Sequence, residues 1–219
     1  MTRYDALVIG ENSFPFHAFD EMGQHIATAL GSDVDATLTT ERETLADLSS
    51  YDCVVDYLTD STLTDAERDG LFSFVRNGGG YLGLHCAADL TSMSDGSGGI
   101  EPREEPFPAF RELLGGHFIG HPEQSAFGVE IVDDEHPITD GVGNFDVYDE
   151  PYRLTYDERE LRVLARMNHP ELESYPVVWV REYGSGRVCY VSLGHTVESL
   201  ENDTVQQLLK RAVRWISTE

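Results

Sequence analysis

Three near-continuous apolar runs, separated by segments of helical period, most limit the folds open to this chain. They are Ala6-Leu7-Val8-Ile9-Gly10, Cys53-Val54-Val55-Asp56-Tyr57-Leu58 and Tyr81-Leu82-Gly83-Leu84-His85-Cys86. Between the first two, Phe19, Met22, Ile26, Ala29 and Leu30 recur at helical spacing, and Gly31 ends the pattern. Between the last two, Thr64-Asp65-Ala66-Glu67 has the form of a capping box. It opens a helix carrying Leu71, Phe72 and Val75, which Gly78-Gly79-Gly80 closes. Apolar strands alternating with helices predict a parallel sheet covered on both faces.

The second half reads differently. Ser92 to Glu105 is rich in Ser, Gly, Asp and Pro and is expected to be a mobile surface loop. A short helix is expected over Phe107 to Leu114. Strands are expected over Phe127 to Val132, Leu161 to Met167, Val177 to Glu182 and Val188 to Leu193. Gly184-Ser185-Gly186 predicts a hairpin turn between the last two, so this half contributes antiparallel strands. A final helix carries Val205, Leu208, Leu209, Ala212, Val213 and Ile216 on one face, capped by Asn202 or Asp203. No repeat, linker or composition shift divides the chain, so residues 1–219 read as one domain.

Charge excludes several partners. Asp and Glu number 40 against 15 Lys and Arg, a formal net charge of -25, and Lys210 is the one lysine. Such a surface repels nucleic-acid phosphates and anionic lipid. It also opposes the compact state unless salt screens it, which points to a protein from a salt-accumulating halophile. No apolar run approaches the roughly 20 residues of a membrane helix. Met1 to Asp5 lacks the flanks of a signal peptide. The expectation is a cytoplasmic protein. The three cysteines do not form a disulfide framework; Cys53 and Cys189 read as small core residues.

In open parallel sheets, ligands bind at the carboxyl ends of the strands. His17 follows the first strand, His85 and Cys86 end the third apolar run, and His195 follows the strand at Val188. His117 and His121 sit beside the glycine pair Gly115-Gly116. Imidazoles titrate near neutrality and serve as acids or bases there. His25, His136 and His169 have plainer readings: a helix residue, a turn residue and a loop residue.

Several of these residues sit in segments that resemble the ThuA-like (trehalose-utilisation) proteins. Gly78 to Asp89 (GGGYLGLHCAAD) is similar to that family's GGGxxGLH segment. Leu113-Leu114-Gly115-Gly116-His117-Phe118 with His121-Pro122, Asp134 to Gly141, Asp149-Glu150-Pro151-Tyr152, Gly184-Ser185-Gly186-Arg187-Val188 and Leu193-Gly194-His195-Thr196 resemble further elements, in order. The resemblance implies a flavodoxin-like three-layer sandwich with helices on both faces of a mostly parallel sheet, similar to class I glutamine amidotransferases. It also implies a small-molecule carbohydrate ligand, such as trehalose or a keto derivative, and a functional link to sugar dehydrogenases.

The chain departs from the amidotransferase pattern where that enzyme class places its chemistry. His85 follows Gly83-Leu84, Ala87 stands where a tight elbow favours glycine, and the late segment reads His195-Thr196-Val197-Glu198. A standard glutaminase is therefore not expected. The expected site is a polar pocket of His85, His121, Glu150 and His195 acting as acids and bases. His17, Cys86, Phe118 and Tyr152 would contact substrate. Three histidines and a glutamate also suit zinc or a similar divalent ion, though no HExxH or paired-Cys motif is present. A non-catalytic ligand-binding or interaction module, and assembly as a homo-oligomer, are further expectations; a fold alone does not fix a function.

Overall fold

The computed structural model describes residues 3–218. Met1, Thr2 and Glu219, the ends of the expected domain, lie outside the described residues. The first half runs β1 (Tyr4–Gly10), α1 (Phe19–Leu30), β2 (Val34–Thr39), β3 (Cys53–Tyr57), α2 (Asp65–Arg76) and β4 (Gly80–Leu84). The middle holds β5 (Ser92–Ser94), β6 (Ile100–Pro102), α3 (Pro108–Leu114), β7 (Gly116–Gly120), β8 (Ser125–Ile131), β9 (Phe145–Asp149) and β10 (Arg153–Tyr156). The chain closes with β11 (Arg162–Asn168), β12 (Pro176–Tyr183), β13 (Gly186–Val191), α4 (Val197–Glu201) and α5 (Asp203–Ser217).

Nine strands form one mixed sheet in the order β2-β1-β3-β4-β13-β12-β11-β8-β9. From β2 to β13 neighbouring strands are parallel; from β13 to β9 they are antiparallel. The expected predominance of parallel pairing thus holds only in the first part, because β12, β11, β8 and β9 extend the sheet by hairpin-type pairing. The two faces are covered by different helices. Ala6, Val8, Leu82 and Val191 pack with Ile26 of α1 and Leu208 of α5 in one core. Leu7, Ile9, Tyr81 and Tyr190 pack with Leu71 of α2 and Phe110 of α3 in the other. Alternation along each strand, with both sets buried, is why these runs read as continuously apolar. Among the described residues no helix is long and apolar enough to cross a membrane.

Local signals behave as their chemistry requires. Thr64 and Glu67 close the capping box, with Thr64 N–H donating to Glu67 Oε2 at 2.7 Å and Glu67 N–H to Thr64 Oγ1 at 3.4 Å. Asn202, not Asp203, caps α5, accepting from the backbone of Thr204 and Val205. Ser92 to Glu105 is not an unstructured loop: β5 and β6 pair as a hairpin. Asp95 accepts from Ser97 and Gly99 to make its turn, and Asp60 accepts from Ser94 N–H at 2.9 Å to tie it down. The polar composition that suggested mobility supplies those turn and anchor bonds.

Candidate functional site

The order β2-β1-β3 reverses direction across β1, so the sheet has a switch point between β1 and β3. Four loops leave the carboxyl ends of adjacent parallel strands there, and three of them carry a histidine of the site. His17 lies in the loop after β1, Thr59 after β3, His85 directly after β4, and His195 after β13. Gly10 ends β1 because Phe19 lies against it: a Cβ there would stand 2.1 Å from the ring. That contact fixes both ends of the loop carrying His17.

The side chains converge. His17 Nε2 is 2.9 Å from His195 Nδ1, and His85 Nε2 is 3.3 Å from the same atom. Glu150 Oε2 lies 3.2 Å from His195 Nδ1 and 3.5 Å from His85 Nε2. Its other oxygen, Oε1, is 3.4 Å from His121 Nδ1. Glu150 arrives from the sheet's far edge strand, held by its neighbour. Asp149 is completely buried and accepts from Gly194 N–H at 2.7 Å and His195 N–H at 3.1 Å. Tyr57 O–H donates to the Gly194 carbonyl at 2.9 Å, so β3 fixes the same turn, in which Gly194 has φ 119°.

The rings of His85 and His17 are also held from behind. His85 Nδ1 donates to the Ser192 carbonyl at 2.8 Å, which leaves Nε2 facing the centre. His17 Nδ1 is 2.9 Å from Thr59 Oγ1. Tyr190 O–H donates to the His85 carbonyl at 2.7 Å. Among the described residues, His17 (φ 57°) and His85 (φ 47°) are the two non-glycine residues with left-handed backbone. Such a conformation costs roughly 1–2 kcal/mol. Its occurrence in two ring-bearing residues of one cluster fits the pattern of strain held at functional sites.

Burial first, then the neighbouring imidazoles of His85 and His195, push His17 down to about 2, so it is neutral at physiological pH. For Glu150, burial acts to raise the carboxyl. The hydrogen bonds from His195 and His85, with their charge, outweigh it and hold the group well below the usual carboxylate range. The cluster is therefore rich in lone pairs and bears a carboxylate.

An aromatic wall adjoins it. The Tyr152 ring lies 4.2 Å from that of His85 and 4.3 Å from that of Phe118, and Phe118 continues to His121 at 5.7 Å. His121 is exposed, and its Nδ1 donates to the Pro122 carbonyl at 2.7 Å. His17 thus joins His85, Glu150 and His195 around His195 Nδ1, and His121 sits on the outer side of Glu150.

Cys86 is not at the edge of this site. It is completely buried in the core and its thiol donates to the Tyr57 carbonyl at 3.4 Å. Burial pushes the thiol well above its ordinary pKa, the reverse of an activated nucleophile. The left-handed turn at His85 rotates the next side chain back into the sheet. His117 lies apart on β7, buried, with Nδ1 unpartnered. Sequence reasoning missed Thr59 and Asp149. Asp149 adjoins Glu150 in a quoted motif and could have been marked; nothing distinguishes Thr59 from other threonines.

The arrangement matches known folds. A ThuA-like protein from Bacteroides uniformis superposes with TM-score 0.75 at 24% identity, over 98% of this chain and 91% of that one. A ThuA-like protein from Parabacteroides merdae gives 0.69 at 18%, over 99% and 90%. The cold-adapted β-galactosidase from Rahnella sp. R3 gives 0.67 at 18%, over 95% of this chain but 31% of that one. At these identities the likeness is one of fold. No curated protein matches the chain in sequence. The family model described as trehalose utilisation, ThuA, matches residues 6–216, and the chain belongs to that family.

Proposed function

We propose that this chain is a carbohydrate-processing protein that takes a hydroxyl-rich sugar, such as trehalose or a keto derivative of a disaccharide, over the strand-end cluster. The observation that carries the reading is the juxtaposition of imidazoles and a carboxylate with the Tyr152–Phe118 aromatic wall. A sugar ring offers hydroxyls to the first and an apolar face to the half-buried Phe118, which buried Tyr152 backs. The family's description, trehalose utilisation, supports the same substrate class. His121, exposed beside Glu150, and His195 are the groups placed to pass protons between a bound sugar and solvent.

A flavodoxin-like three-layer sandwich of the class I glutamine amidotransferase kind is supported by the order β2-β1-β3-β4-β13 and by helices packed on both faces. The proposed setting is cytoplasmic, with a sugar dehydrogenase acting on the same pool of sugars. The test is a thermal-shift screen in molar KCl with trehalose, simple glucosides and their keto derivatives. A ligand at a hundred times its Kd adds about 2.7 kcal/mol to the folded state. A shift that disappears in Glu150→Gln and Tyr152→Ala supports the reading. No shift with any sugar, in a chain shown to be folded, removes it.

A further inference from the structure

We propose that His17, His85, Glu150 and His195 together bind one divalent transition-metal ion of the zinc class. This goes beyond the carbohydrate reading and stands whether or not a sugar binds. One donor atom from each residue lies within 4.8 Å of the other three. The measured edges of this figure are 2.9, 3.3, 3.2 and 3.5 Å. An ion about 2.0–2.1 Å from each donor separates tetrahedral neighbours by about 3.3 Å. The spacing is thus that of a coordination shell. It is also wider, in two of the four edges, than a good hydrogen bond between such atoms.

The orientation of the donors points the same way. His85 Nδ1 gives its hydrogen to the Ser192 carbonyl, so Nε2 is the nitrogen turned inward. That nitrogen faces a carboxylate oxygen at 3.5 Å and His195 Nδ1 at 3.3 Å. His195 Nδ1 also meets His17 Nε2 at 2.9 Å and Glu150 Oε2 at 3.2 Å, so one nitrogen, with at most one hydrogen of its own, has three partners in reach. A cation at the centre takes a lone pair from all four donors at once.

The surroundings are those of a ligand shell. Carbonyl and hydroxyl partners behind His85 and His17 fix which nitrogen turns inward, as outer partners of metal-bound histidines do. The left-handed backbone at His17 and His85 brings both rings to the same point. Three imidazoles and a carboxylate, with no thiolate, favour zinc, cobalt, nickel or iron over calcium and magnesium, which prefer all-oxygen shells. His195 and Glu150 retain some solvent exposure, so an ion can enter and keep a site for water or a sugar oxygen. Such an ion supplies a polarised oxygen or an acidified water.

The decisive experiment uses the full chain, made without a histidine tag, stripped with chelator in molar KCl and titrated with Co2+. The expected result is one cobalt per chain with the visible bands of a four- or five-coordinate site, displaced by one equivalent of Zn2+ and not by Ca2+ or Mg2+. Thr59→Val, which keeps the side-chain shape but removes the partner of His17, should weaken binding about 10–100-fold. His17→Gln and Glu150→Gln should abolish the bands. No saturable binding overturns the proposal; so does binding unchanged in both variants, which marks loose capture by surface carboxylates. Should those variants not fold, X-ray absorption on the zinc-loaded parent decides. Imidazole scattering near 2.0 Å supports the site, and an oxygen-only shell overturns it. Repeating the sugar screen with and without metal separates the two readings. Metal without a sugar shift leaves this proposal and removes the carbohydrate one; a sugar shift in a chain that binds no metal does the reverse.

Discussion

Two buried polar centres lie in the same sheet and are built in opposite ways. Within β3, one residue before its end, Asp56 is satisfied by its neighbours: Leu58 N–H donates to Oδ1 at 2.8 Å and Tyr81 O–H to Oδ2 at 2.6 Å. Burial raises this carboxyl to about 6 despite those bonds. At the carboxyl ends of the strands, the His17–His85–Glu150–His195 cluster sets three groups against one His195 nitrogen and carries two strained backbones. A buried centre whose donors and acceptors match is complete as folded. One whose groups converge on a single atom, held in place against strain, is shaped for something that arrives later.

Salt tests the interior against the surface most severely. A net charge of -25 should make the chain lose its fold, or melt far lower, when KCl falls from molar to tens of millimolar. A melting temperature unchanged by salt would remove the halophilic reading. The Asp56 centre, being buried, should respond to pH and hardly to salt. Its folded pKa lies above its unfolded value of 3.8, so its contribution is full below that value and is lost as pH rises through about 6. Asp56→Asn lacks this loss, so its stability relative to the parent should climb by about 3 kcal/mol from pH 3 to pH 8. Parallel denaturation curves at every pH would contradict the match described here.

Tyr81→Phe removes one donor from the same carboxyl. It should cost about 1–3 kcal/mol in urea denaturation, because the oxygen left behind is buried. The opposite sign is expected in the cluster. His17→Asn replaces a strained ring with a residue that tolerates left-handed backbone. It should stabilise the metal-free, sugar-free chain by about 1 kcal/mol while abolishing ligand response. A loss of stability comparable to that of Tyr81→Phe would make the cluster structural, and the contrast between the two centres would fall.

Much of the fold was legible because it is local. The helix at Phe19–Leu30, the Thr64–Glu67 box and the Gly184 hairpin all follow from side-chain period and turn chemistry within a few residues. The strands that escaped notice are short or half-exposed. β2 lies at the sheet edge with a polar, partly exposed face, and β7, β9 and β10 hold four or five residues each. Such segments are strands because partners pair with them, and pairing is not written in their own composition.

For the site, the sequence by itself determined the supply: which histidines and which glutamate lie beside strand ends or in motifs. The tertiary structure alone decided the membership. It brought His17 into the cluster and left His121 outside, because rings 178 residues apart meet only when β1 and β13 share a sheet. It sent His85 into the site and Cys86 into the core through one left-handed residue, although the two are adjacent in the chain. Direction at a strand end depends on a single φ angle, and that angle is set by packing and hydrogen bonds from distant strands, such as Tyr190 O–H on the His85 carbonyl.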